Sequence, residues 1–291
     1  MTGRIFLRNC ARIWIFLLIF IIHLTTLVMK KILVVLAVLG LAMTGCKTDN
    51  SSLPDNLAEL FDPDFARVME ECEYIADADN IALEDIENIT ELMVGGEPGI
   101  PGPITSLKGI EFFRSLEILD CSENQLTTLD LSRNKALTEL YCHYNQLTSL
   151  NVSGNEALAY LGCVSNKLTS LDVSRNAALI DLRCYDNSLT VLDVSNNRAL
   201  ERLDCSDNQL TTLDLSGSTA LTGLNCVGNR LVSLDISQNR ALTSMVCYLN
   251  PGDGALFPVY AWFDNGAIPV GFSDGSWDYE GSTVTVDYRI K

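Results

Sequence analysis

Few residues of this chain could do acid–base chemistry. The sequence holds 2 histidines, and His23 lies in an apolar segment near its start. His143, flanked by Tyr141 and Tyr144, is therefore the one imidazole in the rest of the chain. Catalysis by an imidazole needs a matched second group, and neither that group nor a metal-ligand spacing nor a phosphate-binding loop is present. We expect a protein that is not an enzyme and that uses no cofactor and no metal.

Cysteine is the other chemically active residue type, and its placement is regular. Seven of the 10 cysteines recur at intervals of 21 residues. This column consists of Cys121, Cys142, Cys163, Cys184, Cys205, Cys226 and Cys247. We expect buried thiols that act as small apolar side chains, because no histidine joins the column and an odd number cannot all pair. The alternatives to free thiols in this column are disulfides between neighbouring coils and metal binding. The isolated Cys72 is expected to be structural.

The charge balance is strongly acidic. The chain has 20 Lys and Arg, 37 Asp and Glu, and a net charge of -17. Five of the basic residues precede residue 46 and none of the acids does, so the remainder is more acidic still. Such a surface repels phosphate backbones, which excludes a nucleic-acid partner. Residues 76–80 have some features of a calcium loop, but they lack its glycine and its full acidic series.

The cysteine column is part of a repeat that covers about half of the chain. Each segment follows the pattern LxxLxCxxNxLTxLDxSxNxA, and six full copies run without insertion or deletion. The segments begin at Leu116, Leu137, Leu158, Leu179, Leu200, Leu221 and Leu242. Within a segment, Leu119 and Cys121 alternate with polar residues, as in a half-buried strand. A fixed period of this kind predicts a solenoid of stacked coils.

This pattern resembles the leucine-rich repeat family in its short 21-residue bacterial form, where LxxLxCxxN and LxxLDxSxN are nested half-repeats. The resemblance implies an α/β-type solenoid that is mainly β, shaped as a horseshoe or arc with a parallel β-sheet on its concave side. It also implies that the protein binds another protein through that side.

Composition and patterning divide the chain into six parts. Residues 104–250 hold the leucine-rich repeats, and the acidic residues 59–103 are expected to form a small helical cap, with helices within 61–74 and around 83–89. Residues 251–291 predict a β-rich cap, with strands at 257–263 and 284–290 and a turn at 280–282. The remaining parts are a linker over 46–58, a signal peptide over 29–45, and residues 1–28, an over-extended start or an extra apolar leader.

The segment before residue 46 reads as an export signal. Lys30 and Lys31 precede an apolar run that ends in Thr44, Gly45 and Cys46, which is the order of a charged region, a short apolar region and a cleavage site. The ending resembles the lipobox of bacterial lipoproteins, which implies that Cys46 is acylated and becomes the new N-terminus. Met43 departs from the Leu, Val or Ile that is more common there.

The outward positions of the first half-repeat differ from copy to copy, unlike the rest of the segment. Adjacent strands would bring together tyrosine, histidine and arginine, and Tyr and Arg dominate protein-binding hot spots. The candidate ligand-binding residues are Tyr141, His143, Tyr144, Tyr160, Arg183, Tyr185 and Arg202. Unconstrained drift of solvent positions is the alternative explanation.

The second half-repeat presents a uniform outward column of aspartate followed two residues later by serine. The first residue of each such pair is Asp130, Asn151, Asp172, Asp193, Asp214 or Asp235. We expect each carboxylate or amide to accept a backbone N–H in an Asx turn, with a weak calcium ladder as the alternative.

Together these features predict a non-enzymatic, lipid-anchored envelope protein that acts as a monomer and binds another protein. Lys47 after Cys46 favours the outer membrane, surface-exposed or facing the periplasm. Glycan binding through the exposed tyrosines and through Trp262 and Trp277 is the alternative function, although covering the last coil is the simpler role for the two tryptophans.

Processing at Cys46 can be checked by intact-mass spectrometry of the protein purified from its native membrane. We expect a species that begins at Cys46 and carries acyl chains, because the lipobox directs both steps. A Cys46→Ala variant should lose the added mass, and a species that begins at Met1 would contradict this interpretation.

Overall fold

A computed structural model describes residues 53–97, 99, 102–263 and 267–291. The predicted leader, the signal peptide, Cys46 and most of the linker lie outside the described residues. Residues Pro54–Lys291 form one unit. None of the helices in the described ranges has the length and apolar character that a membrane crossing requires.

The central element is an eight-stranded parallel sheet with one short strand from each coil. Its strands are β1 (Glu91–Met93), β2 (Ile118–Asp120), β4 (Glu139–Tyr141), β6 (Tyr160–Gly162), β7 (Asp181–Arg183), β8 (Arg202–Asp204), β9 (Gly223–Asn225) and β11 (Ser244–Val246). Within the repeats, equivalent residues pair directly, as Leu119 pairs with Leu140 and Leu161 with Leu182. Each outward column of the sequence therefore becomes a row of side chains across the sheet.

The sheet begins earlier than residue 104, where the sequence pattern placed the first repeat. Strand β1 pairs Leu92 with Leu119, although its step to the next strand is longer than 21 residues. It lies in the segment expected to be a purely helical cap. The pattern missed it because a three-residue strand leaves little periodic signal.

Two short helices precede β1. Helix α1 spans Pro63–Glu71, and its N-cap Asp62 accepts hydrogen bonds from the backbone N–H groups of Asp64 and Phe65. Helix α2 spans Leu83–Ile86, and 3-10 turns lie at Ala58–Leu60 and Ile110–Phe112. Phe61, Phe65 and Phe113 pack together beside the first coil. The helices thus shield the apolar end of the solenoid, as an open repeat array requires.

The second half-repeats form fewer regular strands. Strand β3 (Thr128–Asp130) pairs with β5 (Ser149–Asn151), and β10 (Leu234–Asp235) pairs with β12 (Leu256–Ala261). The Asx turns expected for this column are present: the backbone N–H of Ser174 donates to Asp172 Oδ1 at 2.9 Å, and that of Ser195 to Asp193 Oδ1 at 2.9 Å.

The C-terminal cap extends this second row of strands. Strand β14 (Ser282–Ile290) lies between β12 and β13 (Ser276–Tyr279) in the sheet order β10-β12-β14-β13. Strand β13, which the sequence pattern did not predict, runs antiparallel to β14, and the two strands flank the predicted turn at Glu280 and Gly281. Phe272 also forms a bridge to Met245 at the edge of the main sheet. The cap therefore covers the last coil both at the edge of the main sheet and at the row of strands formed by the second half-repeats.

The seven-cysteine column lies in the core as free thiols, which confirms the predicted burial. Burial raises the pKa of the Cys163 and Cys205 thiols to about 12. The thiol of Cys142 lies 3.4 Å from the carbonyl oxygen of Gly162 on the next strand. These residues thus behave as neutral, apolar core side chains. Cys72, expected to be structural, is exposed instead.

Two asparagine columns hold consecutive coils together at their corners. The Asn187 amide nitrogen donates to the carbonyls of Cys163 and Cys184 at 3.0 and 3.2 Å, and its amide oxygen accepts from the Leu168 N–H at 3.0 Å. In the second column, the Asn197 amide donates to the carbonyls of Val173 and Asn176 at 3.0 and 2.8 Å. These side chains satisfy backbone groups that would otherwise be buried without a partner.

The neighbours Asn197 and Asn196 allow a matched test, because the first is buried and the second is exposed. We expect Asn197→Ala to lower the free energy of unfolding by about 2 kcal/mol, since two buried carbonyls lose their donor. Asn196→Ala should change it by less than about 0.5 kcal/mol. Chemical denaturation of both variants measures the difference, and equal losses would contradict a ladder role for Asn197.

Candidate functional site

The eight-stranded sheet presents one outward surface, which we call the sheet face. It comprises positions 118, 120, 122 and 123 and their equivalents at steps of 21 residues up to 249. Inward leucines and cysteines anchor the strands of this sheet from β2 to β9 in the same way, so the outward side chains project from evenly spaced backbone positions. All seven predicted ligand-binding residues lie on this face.

The aromatic residues of coils two and three form one group on this face. The ring centroids of Tyr141 and Tyr160 are 4.6 Å apart, and those of Tyr141 and His143 are 5.8 Å apart with an edge-on geometry. The Tyr141 hydroxyl donates to Glu139 Oε2 at 2.8 Å. Burial, and then this bond to Glu139, raises the Tyr141 pKa, so its hydroxyl stays neutral.

His143 occupies the space left by a missing side chain. Gly162 is the residue beside Tyr141 on the next strand, and a Cβ atom at this glycine would overlap His143 Cε1 and lie 2.9 Å from Nδ1. His143 Nδ1 is buried and has no hydrogen-bond partner. Burial lowers the His143 pKa, so the ring is neutral at pH 7 and packs as an aromatic side chain rather than as a charge.

A buried carboxylate orients the two arginines of the site. Asp181 Oδ1 and Oδ2 accept from Arg183 Nε and Nη2 at 3.2 and 3.1 Å, and Arg202 Nη1 lies 3.5 Å from the same carboxylate. The Asp181 side chain is 9% exposed, whereas those of Arg183 and Arg202 are 48% and 64% exposed. The Arg183 guanidinium also lies over the Tyr160 ring, 5.5 Å from its centroid. The arginine head groups are therefore held in place with one side open to solvent.

Tyr144 and Tyr185 are the last two of the seven predicted ligand-binding residues. They follow the C-terminal ends of strands β4 and β7. Tyr144 is 51% exposed and has a positive φ of 50°, an uncommon conformation for a bulky side chain. Tyr185 is half-buried, and burial raises its pKa. Both rings add aromatic surface to the sheet face.

Three residues that the sequence interpretation did not select prove essential to this geometry: Glu139, Gly162 and Asp181. The acids share a signal that could have revealed them, since Glu139–Tyr141 and Asp181–Arg183 are two residues apart on one strand face. No comparable local signal marks Gly162, because its role depends on a side chain of the neighbouring coil.

The tryptophans do not form a shared aromatic surface of the kind a sugar site needs. Trp277 is 8% exposed, and its indole Nε1 donates to the Asn250 carbonyl at 2.9 Å, so it covers the last coil. Trp262 packs edge-on against Phe263 and Phe272. Within the described ranges, no group of three or more His, Cys, Asp or Glu residues is placed to hold a metal ion.

Comparison with known proteins identifies the fold. No protein-family model matches the chain, and no curated protein is significantly similar to it. Among solved structures, a leucine-rich repeat protein of Leptospira interrogans is 27% identical, covering 58% of this chain and 45% of that one with a TM-score of 0.54. Internalin C2 of Listeria monocytogenes is 20% identical, covering 82% of this chain and 98% of that one with a TM-score of 0.51.

A third structure, the functional domain of InlJ from Listeria monocytogenes, includes a cysteine ladder. It is 31% identical over 71% of this chain and 56% of that one, with a TM-score of 0.42. This chain therefore spans about half the length of InlJ and of the Leptospira protein. The two matches with TM-scores above 0.5 confirm the predicted leucine-rich repeat solenoid.

The packing of His143 against Gly162 generates a test of the site geometry. We expect Gly162→Ala to push the imidazole into solvent, so that the His143 pKa rises toward the ordinary value of about 6.5. NMR titration of the imidazole resonances measures the pKa. The control is Gly223→Ala, because a Cβ there meets nothing within 4 Å and should leave the titration unchanged. An unaltered His143 midpoint in Gly162→Ala would contradict the described packing.

Proposed function

We propose that this chain is a non-enzymatic, lipid-anchored protein of a bacterial cell envelope that binds another protein through the sheet face. Attachment follows from acylation of Cys46, and Lys47 favours the outer membrane, exposed at the surface or facing the periplasm. The chain acts as a monomer in this proposal.

The observation that carries the proposal is a fixed group of partly exposed aromatic side chains and exposed arginines on an otherwise uniform scaffold. Asp181 holds two guanidiniums and Glu139 holds the Tyr141 hydroxyl. Side chains that are already ordered lose little entropy when a partner binds, and Tyr and Arg contribute most of the energy at protein interfaces. The leucine-rich repeat resemblance favours the same class of function.

The site offers little support for catalysis. Burial lowers the His143 pKa, but its Nδ1 atom is buried beside Gly162 and forms no hydrogen bond. A general base must reach the proton that it abstracts. The arrangement is therefore suited to contact rather than to proton transfer.

Site-directed photocrosslinking in intact cells tests where a partner binds. A photoreactive residue at position 144, where Tyr144 is 51% exposed, should capture a protein, whereas the same residue at position 191, where Val191 is 66% exposed on the other half-repeat, should not. We expect the variant Tyr141→Ala, Tyr160→Ala, Tyr185→Ala to lose the crosslink at position 144, because the aromatic contact surface is gone.

The melting temperature of each variant shows whether that variant is still folded. The triple variant loses an aromatic pair worth about 0.5–1.5 kcal/mol and should remain folded. A Val191→Ala, Val232→Ala variant, which trims exposed apolar residues elsewhere, should keep the crosslink. Equal capture at positions 144 and 191, or capture that survives the tyrosine replacements, would refute the proposed binding face.

A further inference from the structure

The sheet face is acidic as well as aromatic. Its positions hold seven carboxylates and two guanidiniums. The carboxylates belong to Asp120, Glu123, Glu139, Asp181, Asp186, Asp204 and Asp207. His143 adds no positive charge at neutral pH, because burial lowers its pKa. An incoming partner therefore meets a net negative field here, on a chain that is itself strongly acidic.

The two arginines do not neutralise the outer carboxylates. Arg183 directs Nε and Nη2 to Asp181, and Arg202 directs Nη1 to the same group. Because Asp181 is nearly buried, this cluster is a positioning element within the face. In the described part of the chain, Asp186, Asp204 and Asp207 form no ion pair with lysine or arginine.

These three carboxylates lie close enough to affect one another. Asp204 accepts from the Ser206 N–H and hydroxyl at 3.1 and 2.6 Å, and Asp186 accepts from the Ser165 hydroxyl at 2.7 Å. Burial, and then the negative charges of Asp186 and Asp204, raises the Asp207 pKa. Neutral donors thus hold two of these carboxylates in place without cancelling their charge. Negative charges held close together favour the binding of a cationic group.

Aromatic faces border the same carboxylates. Tyr185 directly precedes Asp186. Burial, and then the nearby Tyr144 and Asp204, raise the Tyr185 pKa, and Arg183 opposes this shift. Tyr144, 51% exposed, lies on the same side. Ammonium and guanidinium groups bind to tyrosine faces, and the sheet face already contains such a contact, between Arg183 and Tyr160.

We infer that the partner segment that binds the sheet face is a basic polypeptide, whose lysine or arginine side chains reach Asp186, Asp204 and Asp207 while their stems lie on Tyr144 and Tyr185. This inference rests on the proposed function and specifies its partner. An acidic segment, or a second copy of this chain, would bring like charges together, which raises the free energy of the complex.

The test compares peptide probes on the full chain by isothermal titration calorimetry. The probes are a peptide of alternating lysine and tyrosine, about ten residues long, and its glutamate counterpart. We expect the lysine peptide to bind at low ionic strength and to weaken at least about fivefold when salt shortens the Debye length to about 8 Å. The glutamate peptide should not bind measurably.

Two double variants with the same change in net charge locate the effect. Asp186→Asn with Asp207→Asn should weaken the lysine peptide about fivefold, and both positions have a positive φ that asparagine accepts readily. Asp193→Asn with Asp214→Asn, on the other half-repeat, should change affinity less than about twofold. The Asp193→Asn, Asp214→Asn variant should remain folded, because Asn151 makes the same Asx turn in the equivalent position.

Each outcome separates this inference from the proposed function. Equal or tighter binding of the glutamate peptide, or equal weakening by both double variants, would overturn the basic-partner inference. Capture of a protein at position 144 that depends on the tyrosines but is insensitive to salt and to Asp186→Asn with Asp207→Asn would also overturn it, while the proposed function would stand.

Discussion

The structure depends on how buried backbone groups are satisfied where each coil turns. A coil of 21 residues cannot pair all its amides and carbonyls internally, and burying them unpaired would cost about 1–3 kcal/mol for each group. The asparagine amides solve this between coils: Asn187 bonds to Cys163 of the preceding coil, and Leu168 of that coil donates back to it. Every coil thus needs its neighbour in one register, and the repeat length cannot vary within the array.

That requirement separates the interior from the surface. Leucine, cysteine and asparagine repeat with little change because each contacts its own equivalents in the adjacent coils. Small thiols fit the narrow column under the sheet, where Cys142 approaches the Gly162 carbonyl. The outward positions take no part in this packing, so they can differ from coil to coil without loss of the fold. The ends are the exception, and the phenylalanine cluster and Trp277 cover them.

On the sheet face, charged and aromatic side chains hold one another in a defined arrangement. Asp181 and Glu139 fix the arginines and Tyr141, and His143 fills the gap above Gly162. The result combines neutral aromatic surfaces, which supply contact area, with carboxylates that set the sign of the field. In protein interfaces generally, apolar contact supplies affinity and charge selects among partners.

The sequence alone determined the solenoid, its period, the inward and outward columns, the thiol core, the Asx turns and two of the three described strands of the C-terminal cap. These follow from local periodicity, since a two-residue alternation and a fixed repeat length define which side chains share a row. It also placed the seven candidate residues on one face, and whether they bind a partner stays a prediction. Only the tertiary structure decided the early strand at Glu91–Met93, the strand at Ser276–Tyr279, the exposure of Cys72 and the contact of Asp181 with two arginines. Those features depend on side-chain rotamers and on contacts between distant segments, and neither leaves a periodic trace in the chain.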